Sequence, residues 1–179
     1  MIPDELNFSI AGMNDSKRYK KRFGFWNNVY GYKMSVMREQ FMTEASFDSI
    51  DTKDIITSTC TFKTFDFYKM KEKDLNFIAK YSLKARAKKK LNALAIWIDV
   101  GFTYDHSNSY LDGNPYNKDG TLKQFVFYQR EEKELDNKMT IYGSLAFNSD
   151  NKDEFKLDAK ISVNIDEIKH RNVQFYVVE

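Results

Sequence analysis

The sequence predicts a mostly β protein, an antiparallel barrel or sandwich with one short helical segment near its start. Two observations carry this prediction. From about residue 46 onward, apolar and polar side chains alternate in a series of segments rich in Thr, Phe, Val and Ile. Between about residues 14 and 43, apolar side chains recur instead at the spacings of a helix. About nine strands with short connections are typical of barrels and sandwiches.

The composition restricts the class of protein. The 179 residues suffice for one domain with a proper core, and 42% hydrophobic residues exclude a disordered chain. The net charge of +2 lacks the basic excess of nucleic-acid-binding proteins, so nucleic acid is not an expected partner. The single cysteine, Cys60, excludes an internal disulfide, and no apolar leader or membrane-length stretch occurs in the sequence. A cytoplasmic and/or nuclear protein is expected, with no membrane partner.

The N-terminal quarter of the chain changes period once. Residues 1–13 alternate between apolar and polar side chains and are predicted to form the first strand. A side-chain oxygen of Asp15 or its neighbour is expected to cap a helix that ends near Gly24. Two further helical pieces are expected, over about residues 25–29 and 34–43.

The rest of the chain is predicted to be strands and turns. The stretch from 91 to 104 is apolar on both faces, which indicates a central strand covered on both sides. Residues 105–121 are predicted to form a long polar loop, and loops longer than about 12–15 residues are usually functional or disordered. The other predicted strands are 57–67, 75–85, 123–129, 138–148, 154–166 and 172–178.

Residues 25–35 are unusually aromatic and admit two interpretations. They could form a helical cap that closes one end of the β domain. They could instead form an arm that docks on a partner, because aromatic side chains and Met are frequent at interfaces. The candidate docking residues are Trp26, Tyr30, Tyr32, Met34 and Met37.

Isolated residues with reactive side chains give weaker signals. His106 and His170 each lack a second ligand at metal-binding spacing, so no metal site is predicted. Cys60 lies in an apolar run without a neighbouring base and is expected to be a buried thiol. The basic run 84–90 is expected to be a solvated hairpin, with a phosphate or RNA contact as the alternative.

Several motifs resemble the C-terminal half of the protein arginine N-methyltransferases. They fall in that family's order and spacing from Pro3 to the C-terminus. The motifs are Ile2-Pro3-Asp4, the aromatic stretch 25–35, Glu72-Lys73-Asp74-Leu75, the strand 93–103 and Lys123-Gln124-Phe125-Val126-Phe127-Tyr128.

The resemblance implies a single antiparallel β-barrel domain over residues 1–179, with a helical dimerisation arm inserted at 15–45 after the first strand. In the family, this arm docks on the cofactor domain of a second subunit and closes a homodimer. The implied function is that of the substrate-side barrel and dimerisation domain. The complete enzyme would transfer a methyl group from S-adenosylmethionine to arginine side chains of protein substrates.

The cofactor site of that family is not expected in this chain. None of the seven glycines forms a glycine-rich turn between a strand and a helix, which is the usual cradle of such cofactors. The N-terminal S-adenosylmethionine-binding domain of the family would precede Pro3. The isolated chain is therefore predicted to be inactive, with no catalytic and no cofactor-binding residue of its own.

One family loop falls inside the barrel and differs here. A Thr-His-Trp loop before the Lys-Gln strand helps to wall the substrate-arginine pocket in the family. Aligned on Lys123-Gln124, these positions hold Gly120, Thr121 and Leu122. The replacement leaves two hypotheses open. One is a divergent active enzyme, and the alternative is a non-catalytic partner subunit that activates an active paralogue through the arm.

Overall fold

A computed structural model describes residues 3–103, 109–117, 119–120, 122–149, 157–165 and 172–178. Two α-helices, α1 (Ser16–Gly24) and α2 (Ser35–Phe41), follow the first strand, and short 3-10 turns lie at Phe25–Asn27, Thr52–Asp54 and Glu72–Leu75. The strands are β1 (Glu5–Met13), β2 (Ser46–Asp48), β3 (Ile55–Asp66), β4 (Phe77–Lys84), β5 (Lys89–Phe102), β6 (Ser109–Leu111), β7 (Gln124–Leu135), β8 (Thr140–Ser149), β9 (Leu157–Ile165) and β10 (Asn172–Val178).

The strands form two antiparallel sheets. The first sheet has the order β2-β7-β5-β1-β3, with β6 paired to β5, and the second has the order β10-β9-β8-β4. The mostly β antiparallel fold and the helical insertion after the first strand are therefore confirmed. Both helices lie between β1 and β2, so the insertion interrupts the first sheet in sequence but not in space.

The inner faces of the two sheets enclose the main core. Leu94 and Ile96 point inward from β5, and Ile161 and Val163 point inward from β9, all at most 2% exposed. The alternation predicted for β9 is confirmed by this burial. The opposite face of β5 is also covered, because Ala93 and Ala95 are buried in a second cluster beneath α1. The prediction of a central strand covered on both sides is thus confirmed.

The two sheets meet at two seams instead of one continuous ladder. At one seam Thr57 and Ala85 form an isolated antiparallel bridge, and at the other Glu44 and Val177 form an isolated parallel bridge. Within the described ranges, the hydrogen-bonded ladders of the two sheets do not join. The barrel is held together by packing between the sheets and by these single bridges, and its described strands do not close into one ladder.

Some predicted boundaries were wrong. The piece predicted at 25–29 is only a 3-10 turn, because Asn28 leaves the helical region and the chain turns back. Strand β6 lies inside the predicted loop, since its three residues pair with the end of β5. Strand β7 continues past 129 to Leu135, because its polar end pairs with the start of β5. Neither α1 nor α2, the helices of the described part, has the length needed to cross a membrane.

Candidate functional site

The base of the arm is fixed to the first sheet by hydrogen bonds of Asp15. This residue precedes α1, and its side chain accepts from the N–H of Arg18 at 3.2 Å, as an N-cap should. The hydroxyl of Tyr128 on β7 donates to Asp15 Oδ2 at 2.9 Å. The N–H of Asp15 donates to Asn92 Oδ1 at 2.8 Å. The carboxylate is buried, but its hydrogen bonds stabilise it there.

The apolar face of α1 packs on the same strands. Phe23 is 1% exposed, and its ring lies edge-on to that of Tyr128 with centroids 5.2 Å apart. Burial, followed by the nearby charge of Asp15, raises the pKa of Tyr128, so its hydroxyl keeps the proton that it donates. The cluster consists of Met13, Phe23, Met42, Ala93, Ala95, Val126 and Tyr128. The first helix therefore acts as a cap on the barrel.

The middle of the arm is held by stacking between its own side chains. The rings of Trp26 and Phe41 stack at 5.0 Å with an interplanar angle of 16°. The N–H of Met34 donates to the carbonyl of Trp26 at 2.9 Å and brings the start of α2 alongside the 3-10 turn. Trp26 thus packs α2 against the preceding turn and is only half-exposed.

The end of the arm is a tight turn. Val29 and Tyr32 exchange two backbone hydrogen bonds, of 2.8 and 3.0 Å. Tyr30 and Gly31 between them have φ angles of 52° and 92°, and the positive angle at Gly31 is one that glycine adopts without strain. The side chain of Asn28 accepts from the N–H of Gly31 at 2.8 Å and fixes the turn. The turn is therefore ordered by its own hydrogen bonds.

An exposed apolar surface results, which we call the arm tip: Tyr30, Tyr32, Met34 and Val36. Tyr30 is 96% exposed, Val36 81% and Tyr32 76%. Exposed apolar side chains that are grouped in this way usually mark a contact with another molecule. Of the predicted docking residues, Tyr30, Tyr32 and Met34 lie on the arm tip. Trp26 and Met37 are half-buried, and Trp26 packs against Phe41 of α2.

The segment between β6 and β7, of which residues 112–117, 119–120 and 122–123 are described, is called the substrate-side loop. It is attached to the barrel through Gln124, the first residue of β7. Its side-chain oxygen accepts from the N–H of Ile50 at 3.0 Å. Its Nε2 donates to the carbonyl oxygens of Gly113 at 2.8 Å and Leu122 at 2.9 Å. One buried amide therefore joins three segments. Of the residues at the family's Thr-His-Trp position, Gly120 is exposed, Leu122 is half-buried, and Thr121 lies outside the described residues.

Two carboxyl groups, those of Asp99 and Asp112, attach the other end of the substrate-side loop to β5. Asp99 on β5 accepts from the N–H of Gly113 at 2.9 Å and hydrogen-bonds the carboxyl group of Asp112. Burial, and then this contact, raises the pKa of Asp99 to about 6. Burial acts in the same direction on Asp112, but hydrogen bonds from Asn117 and Asn114 outweigh it and lower the pKa of Asp112. The two groups therefore titrate as a pair.

Sequence reasoning did not find Gln124, Asp99 and Asp112 as members of a site. An acid in a largely apolar strand, such as Asp99, is a signal that could have drawn attention. Its partner could not be identified from spacing, because β6 and its turn bring Asp112 back to β5. In the sequence, Gln124 is distinguished only as part of the motif that begins at Lys123.

A cleft of about 420 Å³ separates the base of the arm from the substrate-side loop. Arg18 of α1 lines one side, and Pro115 and Tyr116 of the loop line another. Its floor comes from the segment that follows β2, including Ile50 and Asp51. The cleft is open, and Arg18 spans it with a hydrogen bond to the carbonyl of Ser49 at 2.9 Å.

Metal ligands do not cluster in the described part of the chain: no group of three or more His, Cys, Asp or Glu side chains is placed to hold an ion. His106 and His170 lie outside the described residues. Cys60, predicted to be buried, is half-buried on β3 and packs against the main core.

A comparison with protein families now identifies the chain. Residues 7–168 match the model of the arginine methyltransferase oligomerization subdomain. The chain belongs to this family. The match includes all of the arm and both anchors of the substrate-side loop, Asp99 and Gln124.

Full-length relatives agree with this assignment. The chain is 28% identical over 165 residues to protein arginine N-methyltransferase 1.1 of Arabidopsis thaliana, covering 92% of this chain and 42% of the relative. It is 29% identical over 161 residues to protein arginine N-methyltransferase 1 of Oryza sativa subsp. indica, covering 90% and 42%. The chain thus spans less than half the length of these relatives and corresponds to their C-terminal domain.

Solved structures show the same fold. A Trypanosoma brucei PRMT1 enzyme-prozyme heterotetrameric complex with AdoHcy superposes with a TM-score of 0.93 at 24% identity, covering 100% of this chain and 57% of that one. Protein arginine methyltransferase 10 of Arabidopsis thaliana gives 0.76 at 15% identity, covering 99% and 60%. At these identities the likeness establishes the fold.

Among the described residues, the turn between β1 and α1 is where a strand leads into an α-helix, which is the usual setting of a cofactor cradle. Gly12 near this turn faces the core, where an added Cβ would lie 2.8 Å from side-chain atoms of Leu91 and Thr57. Asp15 at the start of α1 is buried under Tyr128. Neither the glycine nor the helix start is open to a ligand, so no step of the chemistry is assigned to them.

Proposed function

We propose that this chain is the substrate-side barrel and oligomerisation domain of a protein arginine N-methyltransferase. The whole protein would transfer a methyl group from S-adenosylmethionine to arginine side chains of protein substrates. The family match over residues 7–168 supports the domain assignment. The observation that carries the function of this chain is the arm tip, an ordered apolar surface that projects from a barrel whose own core is complete.

The proposed role of the arm tip is to pair subunits into a homodimer. Tyr and Met side chains with this exposure gain most when a partner covers them. The turn at Tyr30 and Gly31 is already ordered by its own hydrogen bonds, so little conformational entropy would be lost on docking. Trp26 would support the surface through its contact with Phe41 of α2.

The proposed role of the substrate-side loop is to cover one side of the arginine pocket. Gln124 and the Asp99–Asp112 pair fix both ends of the loop to the barrel. Positioning of a reacting guanidinium requires such a rigid wall. The chemistry itself is assigned to the part of the whole protein that would bind the cofactor, and the isolated chain is proposed to be inactive.

The arm is tested by the association state of the chain in solution. Sedimentation velocity should show concentration-dependent self-association, because the arm tip is uncovered. Replacing both tyrosines (Tyr30→Ala, Tyr32→Ala) should leave a monomer with an unchanged melting temperature. Tyr68→Ala removes another exposed ring, from the turn after β3, and should leave the association unchanged. A double variant that still associates would rule out the arm tip as the docking surface, and a monomeric wild type would move the test to the whole protein, where the docking surface of this family would be present.

The division of labour is tested by calorimetry. S-adenosylmethionine titrated into the isolated chain should give no binding heat, because the β1–α1 turn is closed to a ligand. Micromolar binding would contradict the assignment of the cofactor to another domain. This outcome is independent of the association experiment, since the arm tip and the β1–α1 turn share no residue.

A second candidate function is a non-catalytic subunit that activates an active paralogue through the arm. Gly120 and Leu122 favour it, because neither can replace the side chain that the family has there. The Trypanosoma brucei complex, which pairs an enzyme with a prozyme, offers a precedent for such an assembly. Thr121→His with Leu122→Trp, made in the whole protein, should raise its methylation of an arginine-rich peptide. Activity that appears only on mixing with a paralogue would favour the partner subunit.

A further inference from the structure

The outer face of the second sheet carries an exposed surface that neither the arm nor the substrate-side loop explains. The pairing register places one row of Ile78, Ala146, Lys160 and Phe175 across its four strands. The next row consists of Lys80, Ser144, Ser162 and Val173. Ile78 is 78% exposed and Phe175 is 62% exposed. We call this surface the outer-sheet patch: both rows together with Tyr142 and Asn164.

The centre of the outer-sheet patch is concave. Its small residues, Ser144, Ala146 and Ser162, lie in the middle strands, and larger side chains stand around them. The resulting depression has a volume of about 460 Å³. Ser144 and Ser162 hydrogen-bond one another through their hydroxyl oxygens at 2.9 Å, which leaves an even floor. Such a depression is large enough to receive a bulky side chain of a partner.

The patch is positively charged. Lys80 and Lys160 stand on either side of the depression, and neither forms an ion pair with a described residue. The ammonium group of Lys160 lies 4.9 Å from the ring centre of Phe175. Lys84 adds a third positive charge on the same face of β4. Among the described residues, Asp158 is the acidic residue on this face of the sheet. This charge would repel an arginine-rich substrate and attract an acidic segment.

One polar atom within the patch lacks a hydrogen-bond donor. The side-chain oxygen of Asn164, opposite Tyr142 in the register, is buried, and no donor of a described residue reaches it. A buried acceptor without a partner costs about 1–3 kcal/mol. Asn164 lines the depression, so a turn of its side chain would bring this oxygen to a backbone N–H of a peptide lying there, which would supply the missing donor. The neighbouring serine hydroxyls do not compete for it, because they pair with each other.

We propose that the outer-sheet patch binds an acidic peptide segment of a partner protein, with an aromatic or aliphatic side chain of that segment in the depression. Lys80 and Lys160 would pair with its carboxylates, Ile78 and Phe175 would pack against its apolar side chain, and Asn164 would accept from its backbone. The proposal does not depend on the proposed methyltransferase function or on the arm.

The chemistry of the patch favours a peptide over single-stranded nucleic acid. Nucleic acids bind sheets by stacking bases on open aromatic rings. Here Lys160 lies against the ring of Phe175, which leaves Tyr142 as the open ring among the described residues of the patch, and its other apolar contacts come from aliphatic residues such as Ile78 and Val173. Aliphatic side chains pack well against apolar side chains of a peptide and cannot stack.

The test uses the chain with labelled probes and fluorescence anisotropy. The first probe is a short glutamate-rich peptide that carries one phenylalanine and one leucine, and the second has lysine in place of every glutamate. The third probe is an oligouridylate of similar length. The acidic peptide should bind saturably and more weakly as salt rises, because exposed charges are screened. Equal binding of both peptides, or no saturable binding of the acidic one, would overturn the proposal, and tighter binding of the oligouridylate would replace it with a nucleic-acid site.

Variants assign the binding to the patch. Lys80→Glu with Lys160→Glu should weaken binding of the acidic peptide at least about tenfold. Lys89→Glu together with Lys88→Glu makes the same change of charge at the start of β5 and before it, outside the patch, and should leave the affinity nearly unchanged. Equal losses in the two double variants would show attraction to the overall charge and would contradict a defined site.

Asn164→Leu separates binding from folding. This change removes the unpaired acceptor at similar volume, so the free chain should melt at a higher temperature. The same variant should bind the acidic peptide several-fold more weakly, because the backbone N–H of the peptide loses its acceptor. Unchanged binding by a stabilised variant would remove Asn164 from the proposed site, and tighter binding would contradict the proposed backbone contact.

Discussion

The base and the tip of the arm both contain aromatic residues, but those at the base are buried and those at the tip are exposed to solvent. At the base, Phe23 and Tyr128 are almost fully buried, and Asp15 has its hydrogen bonds within the chain. At the tip, Tyr30 and Tyr32 are among the most exposed aromatic residues of the described chain. One short insertion therefore contains both a completed contact and an uncovered one.

The difference bears on the two interpretations of residues 25–35: a cap exists, but α1 forms it before that stretch begins, and docking by residues 25–35 stays a proposal. Residues of α1 form the cap, because Asp15 and Phe23 attach that helix to the first sheet. Beyond Gly24 the chain packs mainly on itself, through Trp26 and Phe41. Stability and association should accordingly depend on different residues of the arm.

The largest effect is expected from two phenylalanines that lie two positions apart. Phe23→Ala should lower the free energy of unfolding by about 3–5 kcal/mol, because it leaves a cavity in a closed cluster. Phe25→Ala should cost less than about 1 kcal/mol, since that side chain is 55% exposed. Urea unfolding followed by circular dichroism measures both. Similar losses for the two variants would mean that the arm is stabilised as one unit.

A smaller, pH-dependent effect is expected from the substrate-side loop. The pKa of Asp99 is raised to about 6, above its unfolded value, so the folded state binds its proton more tightly. Its contribution to stability is thus present at low pH and is lost as the pH rises from about 4 to about 6. After allowance for solvent screening, Asp99→Asn should flatten the stability profile in this window by about 1–2 kcal/mol.

Melting temperatures of wild type and Asp99→Asn between pH 4 and 7 measure this effect. Asp51→Asn serves as the control, because Asp51 is exposed and its pKa is lowered by a hydrogen bond from Lys53. Asp51→Asn should leave the pH dependence of the melting temperature unchanged between pH 4 and 7. Neither substitution should alter the contacts at the base of the arm. Parallel profiles for wild type and Asp99→Asn would exclude a shared proton in the loop.

The smallest effect is expected from replacing two glycines of the arm by alanine, which should change the stability of the chain in opposite directions. Gly31→Ala should destabilise the chain by about 1 kcal/mol, because its φ of 92° strains any residue with a Cβ. Gly24→Ala should stabilise it by about 0.5–1 kcal/mol, since its φ of −67° suits alanine and no atom lies within 4 Å of the added Cβ. Thermal melts resolve such changes. Changes of the same sign would contradict the left-handed turn at the tip.

The sequence predicts most of this fold because each strand of the second sheet has one buried face. Alternation in Leu157–Ile165 requires no knowledge of distant residues, and the structure confirms it. The aromatic residues of the arm are also evident from the local sequence. Their exposure is not evident, because a buried and an uncovered tyrosine look the same in a sequence.

Contacts between distant segments account for the features that the sequence did not reveal. Tyr128 and Asp15 are 113 positions apart, and nothing in either segment indicates their hydrogen bond. Asp112 reaches Asp99 only because three residues of β6 turn back onto β5. The outer-sheet patch depends on the register of four strands. Single-sequence periodicity identifies which face of a strand is exposed, but it does not place neighbouring strands beside one another.

The single bridges at the seams imply that the barrel opens in parts. Local opening is easiest where few hydrogen bonds must break together, and amide hydrogens exchange there first. The amide of Arg86, which donates to Ile56, and that of Val177, which donates to Thr43, form hydrogen bonds across these seams. We expect them to exchange before the amides in the middle of β5 and β8. Each sheet would then be protected from exchange as one cooperative unit. Deuterium uptake would therefore separate the strands of the first sheet from those of the second.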